Sequence, residues 1–200
     1  ADIPEEYGGS GGNYAHMAVL FEELAYAGDR AFGVSVHAIV AHYLLNQGTE
    51  AQKLKYLPLL ASGEMVGAIA MTEPGAGSDL ANIRTTAVRD GDSYVINGSK
   101  TFISNGQHAG LVILAAKTDP TAGSKGVSLF LVDTSLPGFA RGKNLEKIGL
   151  HSQDTSELFF DNLRVPASAL LGEEGKGFAY MMQELPRERL NIAVQGVYSA

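Results

Sequence analysis

Apolar residues recur in this chain with a helical period, then a strand period, then a helical period again. Such a pattern calls for separate helical and β layers. After a glycine-rich opening, EEYGGSGGN, the residues Met17, Leu20, Phe21 and Leu24 fall at helical spacing. A second helix is predicted from about Asp29 to Asn46, ending at Gly48. Thr49 caps a third, TEAQKLKYLPLLASG, which Gly63 closes. From Met65 to about Leu171 the apolar residues come in short β-branched runs. Asp90-Gly91 and Asn97-Gly98 both carry hairpin signals, and GLVILAAK, GVSLFLVD and SELFFDNLRV have strand length. This many short strands predicts a barrel or a sandwich. TDPTAGSKG, between two of them, reads as a mobile loop. After GEEGKG the pattern FAYMMQELPRERLNIAVQGVYSA is helical, with Pro186 placed to start a new helix.

Composition narrows the function classes. Two hundred residues, 45 % hydrophobic and 18 % charged, can bury a sizeable core. A net charge of −7 without any basic cluster argues against a nucleic-acid partner. Cysteine is absent, so no disulfide framework or thiolate metal site is possible, which fits a reducing compartment. The richest apolar stretch, AFGVSVHAIVAHYLL, contains two histidines and is too short to span a bilayer. No signal peptide is visible. The chain opens on Ala1 and stops inside a helical pattern, so a piece of a longer protein is expected.

MTEPGAGSD, residues 71–79, is the most distinctive local motif. A P-loop needs a lysine after its last glycine, and here Gly77 is followed by Ser78, Asp79 and Leu80. A dinucleotide fingerprint needs a third glycine at Leu80 and a helix starting there, whereas Ile83 to Val88 reads as strand. Two readings stay open. One is a corner with Asp79 as turn or cap residue. The other is a nest of backbone N–H groups for phosphate oxygens, helped by the hydroxyls of Thr72 and Ser78. KTFISNG adds an aromatic face at Phe102 and a hydroxyl at Ser104, which together would suit a nucleotide with a flat ring. The five histidines show no metal-ligand spacing and read as core or surface residues, so no metal site is expected. No Gly-x-Ser-x-Gly elbow marks a hydrolase. Glu184 and Glu188 stand four residues apart around Pro186 and Arg187. They read either as a solvated face balanced by Arg187 and Arg189, or as a carboxylate held near a reacting carbon, with arginines handling an anionic substrate. Burial would raise such a glutamate's pKa and suit it to act as a base.

Taken in order, IPEEYGG, EELAYA, MTEPGAGSD, INGSKTFISNG, GVSLFLVD, QDTSELFFDNLRVP and GEEGKGF resemble the acyl-CoA dehydrogenase family, and QELPRERLNIA resembles its long-chain branch. The resemblance implies part of a helical N-terminal domain (1–64), a flavin-binding central antiparallel β-barrel or sandwich domain (65–172) and the start of a C-terminal four-helix domain (173–200). The cofactor implied is FAD. Met71 and Thr72 would lie against its ring, Gly77 and Ser78 would hold its pyrophosphate, and Phe102, Ile103 and Ser104 would stand beside it. Phe102 replaces the family's usual tryptophan, and Ser104 its usual threonine. Ser78 would also touch CoA, Lys125 would reach CoA phosphates, and Pro186, Arg187, Glu188 and Arg189 would line the acyl-CoA site. Glu188, in the sequence ERL, matches the catalytic base of the long-chain and isovaleryl branches. The reaction implied is FAD-dependent α,β-dehydrogenation of an acyl-CoA in fatty-acid β-oxidation, with electrons passed to an electron-transfer flavoprotein. A homo-oligomer, tetramer or dimer, in a mitochondrial matrix or bacterial cytoplasm is the accompanying expectation. The rivals are an acyl-CoA oxidase using oxygen and a non-catalytic acyl-CoA-binding member.

Overall fold

A computed structural model describes residues 2–29, 31 and 33–200. Three helices open the chain: α1 (Tyr14–Tyr26), α2 (Val34–Gln47) and α3 (Glu50–Ser62). Asn13 caps α1 by accepting the Ala15 N–H at 3.0 Å. Thr49 and Gln52 form a reciprocal box at the start of α3, with bonds of 3.3 and 2.9 Å, and Gly63 ends that helix at φ +79°. The second helix starts later than its pattern predicts. Asp29 instead accepts the Ala31 N–H at 2.9 Å, a local turn that competes with helix. Arg30 and Phe32, also within the predicted helix start, lie outside the described residues.

Eight strands follow: β1 (Val66–Ala70), β2 (Thr86–Asp90), β3 (Ser93–Ser104), β4 (Ala109–Lys117), β5 (Val127–Asp133), β6 (Phe139–Asn144), β7 (Thr155–Pro166) and β8 (Leu170–Leu171). They form one sheet in the order β6-β7-β3-β2-β4-β5-β8, with β1 off this path and paired to β4. Pairings are antiparallel except that β1 runs parallel to β4, and β2 meets β4 in parallel at Thr86 and Lys117 alone.

Strands β4 and β5 are buried on both faces. Leu111, Ile113, Ala115, Leu129 and Leu131 pack into a cluster with Val40, Tyr43, Leu44, Leu57 and Leu60 of α2 and α3. Their neighbours Val112, Leu114, Ala116, Phe130 and Val132 point the other way, against Tyr94, Ile96, Leu158, Phe160, Leu163 and Val165. Two-sided burial explains why GLVILAAK and VSLFLV are unbroken apolar runs. β7 has one wet face, and it alternates accordingly.

Two turn signals end differently from their usual meaning. Asp90-Gly91 does close the β2–β3 hairpin, with Gly91 at φ +63°. Asn97-Gly98 makes no hairpin and lies within β3 at a register shift. Gly98, at φ +150°, lets β3 approach Thr85 so closely that a Cβ would sit 2.5 Å from Thr85 Oγ1. Asn97 Oδ1 meanwhile accepts the Asn162 N–H of β7 at 2.8 Å.

The last helix, α4 (Gly177–Ser199), is anchored where Gly175 N–H donates to Ser128 Oγ at 2.8 Å on β5. It runs unbroken through Pro186, which therefore does not start a new helix. Pro186 is exposed, and its lack of an N–H removes one intrahelical bond, to the carbonyl four residues back. Contacts with α2 through Glu184 and Glu188 hold the helix on both sides of it.

Candidate active site

β1 delivers the chain into the 71–79 turn. Glu73 and Ala76 exchange both backbone N–H···O bonds at 3.0 Å, which makes Glu73-Pro74-Gly75-Ala76 a tight reversal. Gly77, Ser78 and Asp79 are exposed beyond it. A Cβ on Gly75 or Gly77 would meet no atom within 4 Å, so the backbone here is bare and approachable. Asp79 accepts from the Asn82 amide, the turn role open to it on sequence grounds.

The turn lies against a bulge in β3. Thr101 N–H donates to Thr72 O at 2.9 Å, and the register shifts between Lys100 and Ile103. Phe102 takes a left-handed backbone (φ +59°), rare for an aromatic residue, and the residue is 67 % exposed. Ile103 turns inward, and Ser104 and Thr72 are half-buried. The Thr101–Thr72 and Lys100–Met71 bonds thus bring the stretch that carries Phe102 and Ser104 alongside Met71, Thr72 and the bare glycine turn.

Glu73 and Lys100, absent from the sequence reading, hold these pieces together. Lys100 Nζ donates to Glu73 Oε1 at 2.8 Å and to Met71 O at 3.0 Å, with its side chain fully buried. Glu73 also accepts from Arg84 N (2.6 Å), Thr85 N (3.0 Å) and Thr85 Oγ1 (2.7 Å). Burial opposes charge on both partners. It lowers Lys100 to about 8, while the bonds from Lys100, Thr85 and Arg84 outweigh it at Glu73 and keep that carboxylate below its ordinary value. Near neutral pH the pair is ionised. One signal could have exposed it: Lys100 shares the inward parity of Tyr94 and Ile96, and an inward lysine needs a partner.

The second group of polar residues joins α2 to α4. Tyr43, fully buried, donates to Glu188 Oε1 at 3.2 Å, and Asn46 Nδ2 donates to Glu184 Oε1 at 2.6 Å. Glu184 is buried and Glu188 half-buried, so the solvated-face reading of this pair does not hold. Burial raises the Glu188 pKa, the Tyr43 bond opposes that rise, and the charge of Glu184 adds to it. Arg187 does not neutralise the carboxylates. Its guanidinium pairs with Asp2, which also holds His42 Nε2 at 2.7 Å, and it lies over the Tyr14 ring. Arg189 and Lys125 are exposed and belong to neither bonded group. The two groups of residues share one apolar cluster, since Met71 packs against the cluster that contains Tyr43.

A profile described as "Acyl-CoA dehydrogenase, N-terminal domain" matches residues 1–64, and one described as "Acyl-CoA dehydrogenase, middle domain" matches residues 68–163. The mitochondrial long-chain specific acyl-CoA dehydrogenase of Sus scrofa is 52 % identical over 195 residues, 96 % of this chain and 45 % of that protein. The crystal structure of an acyl-CoA dehydrogenase from Geobacillus kaustophilus superposes with a TM-score of 0.96 at 54 % identity, covering 98 % of this chain and 53 % of that one. The crystal structure of an FAD-dependent dehydrogenase superposes with a TM-score of 0.95 at 33 % identity, over 100 % of this chain and 55 % of that one. The chain spans about half the length of these relatives. Matched along both profiles and at better than half identity over nearly all its residues, this chain belongs to the acyl-CoA dehydrogenase family.

Proposed function

We propose that the intact protein removes hydrogen from the α and β carbons of an acyl-CoA thioester, giving a trans-2-enoyl-CoA, with Glu188 as base and FAD as cofactor. The observation that carries this is Glu188 itself. It is a half-buried carboxylate with a raised pKa, in contact with the same apolar cluster as Met71. A carboxylate in that state is better matched to proton abstraction near neutral pH than a solvated one. The residues at the turn and bulge fit a flavin. Phe102 offers an exposed face, Thr72 and Ser104 offer hydroxyls for a polar ring edge, and the bare backbone at Gly77 and Ser78 suits a pyrophosphate.

FAD, when bound, supplies the acceptor for the β-hydrogen, which leaves as hydride. Glu188 takes the α-proton as the carbon–carbon double bond forms. Met71, Thr72, Phe102, Ile103 and Ser104 orient the flavin. Ser78, Pro186, Arg187, Arg189 and Lys125 are assigned to the acyl-CoA side by resemblance, with Arg187 the least free of them because Asp2 holds its guanidinium. The ERL sequence at 188–190 and the likeness to a long-chain specific enzyme support a long acyl chain. Electron transfer onward to an electron-transfer flavoprotein, a tetrameric or dimeric assembly, and a matrix or bacterial cytoplasmic setting complete the reading.

The test is Glu188→Gln in the intact protein, which keeps shape and removes the base. FAD should stay bound, while flavin bleaching on anaerobic mixing with palmitoyl-CoA should slow by roughly 10²–10⁴-fold. A wild-type rate would move the base elsewhere.

A further inference from the structure

We propose that Tyr43 is a positioning residue for Glu188: its buried hydroxyl holds Oε1 of the carboxylate and leaves Oε2 to face the substrate α-carbon. This rests on the assignment of Glu188 as base. The geometry is specific to two helices in register. Tyr43 and Asn46, three apart on α2, donate to Glu188 and Glu184, four apart on α4. Spacings of three and four bring residues to one face of a helix, so the two bonds fix both the rotation and the height of α4 against α2. Among the described residues no hydrogen bond reaches Glu188 Oε2.

The donors are not equivalent in what they control. Asn46 donates to Oε1 of the buried carboxylate, Glu184. Tyr43 takes the half-buried one through a single O–H, so only one oxygen of Glu188 is engaged. Burial and the two nearby carboxylates raise the Tyr43 pKa, which keeps the phenol a neutral donor throughout the working range. The charged groups around Glu188 are few. Tyr43 faces it from α2 and Glu184 from one turn back on α4, whereas Arg187 is turned to Asp2 and the Tyr14 ring, and Arg189 is exposed. A single hydrogen bond to the charged form therefore has no strong competitor in setting the orientation and proton affinity of Glu188.

Tyr43→Phe tests this in the flavin-loaded, full-length protein, since it keeps the buried ring and removes only the hydroxyl. Two readouts are taken: the pH dependence of flavin bleaching by palmitoyl-CoA, and the titration of the isotopically labelled Glu188 carboxyl by NMR without substrate. Loss of a donor to the carboxylate should move both midpoints upward by about half to one pH unit. The bleaching rate on the alkaline plateau should fall only modestly. Replacing Tyr43 by 3-fluorotyrosine, whose more acidic hydroxyl donates more strongly, should move both midpoints downward. It serves as the second arm should Tyr43→Phe fold poorly. Midpoints unmoved in both variants, with Glu188→Gln inactive, would overturn the role of Tyr43 alone and reduce it to packing. A wild-type rate in Glu188→Gln would instead overturn the base assignment, and the positioning role with it.

Discussion

Glu73 sits in the 71–79 turn with four hydrogen bonds, and Lys100 reaches it from the middle of a strand. Removing one member of such a buried pair leaves a charge that nothing compensates. Lys100→Met is therefore expected to destabilise the protein by about 3–5 kcal/mol in urea titration, and Glu73→Gln/Lys100→Met by less than the two single changes added. The pH dependence follows from the shifts. Glu73 has a folded pKa below its unfolded one. Its stabilisation is complete above about pH 4.5 and is lost as pH falls through the lower folded value. Lys100 is depressed to about 8 from 10.5, so keeping it charged costs stability below about pH 8, a cost relieved as pH rises between those values. In acid the wild type should lose stability more steeply than Glu73→Gln, which thermal melts at stepped pH would show. Neither residue was legible as a partner of the other, because 27 positions of chain separate them and the packing of the 71–79 turn on β3, marked by the Thr101–Thr72 bond, brings them together.

Among the elements, those set by local chemistry matched their sequence signals, and those set by neighbours did not. Thr49 and Gly63 bracket α3, and Gly91 turns the β2–β3 hairpin, because each signal is satisfied within a few residues. Asn97-Gly98 carries the same hairpin code, but Thr85 beneath Gly98 and Asn162 beside Asn97 hold the strand extended. Pro186 carries a helix-start code, yet the bonds from Tyr43 and Asn46 bracket it and keep α4 whole. This override has a measurable consequence. An interior proline costs a helix up to about 3 kcal/mol relative to alanine, so Pro186→Ala should raise the urea midpoint of the intact protein. An unchanged or lower midpoint would mean that the proline ring makes contacts worth as much as the bond it forfeits.

For the molecule as a whole, β4 and β5 are the common wall of two cores. Their unbroken apolar runs were readable as strands, and the parity that divides them between helices and sheet was not, since both faces look alike in sequence. Ile113 and Leu114 face opposite cores with no exposed surface. Ile113→Ala and Leu114→Ala should each cost about 2–5 kcal/mol, and each should lower the helical and β-sheet circular-dichroism transitions together. A change that melted only one layer would show that the wall does not couple them. The glycine at position 67 adds a last consequence. Val40 of α2 rests on Gly67 so closely that a Cβ there would come within 2.8 Å, and β1 runs from Gly67 straight to Met71. One turn further along α2, Tyr43 holds Glu188. With Glu188 as the proposed base and Met71 beside the proposed flavin, a single helix would act as the gauge block between the two ends of the site. A bulkier residue at 67 would push against Val40 and so throw both ends out of step at once.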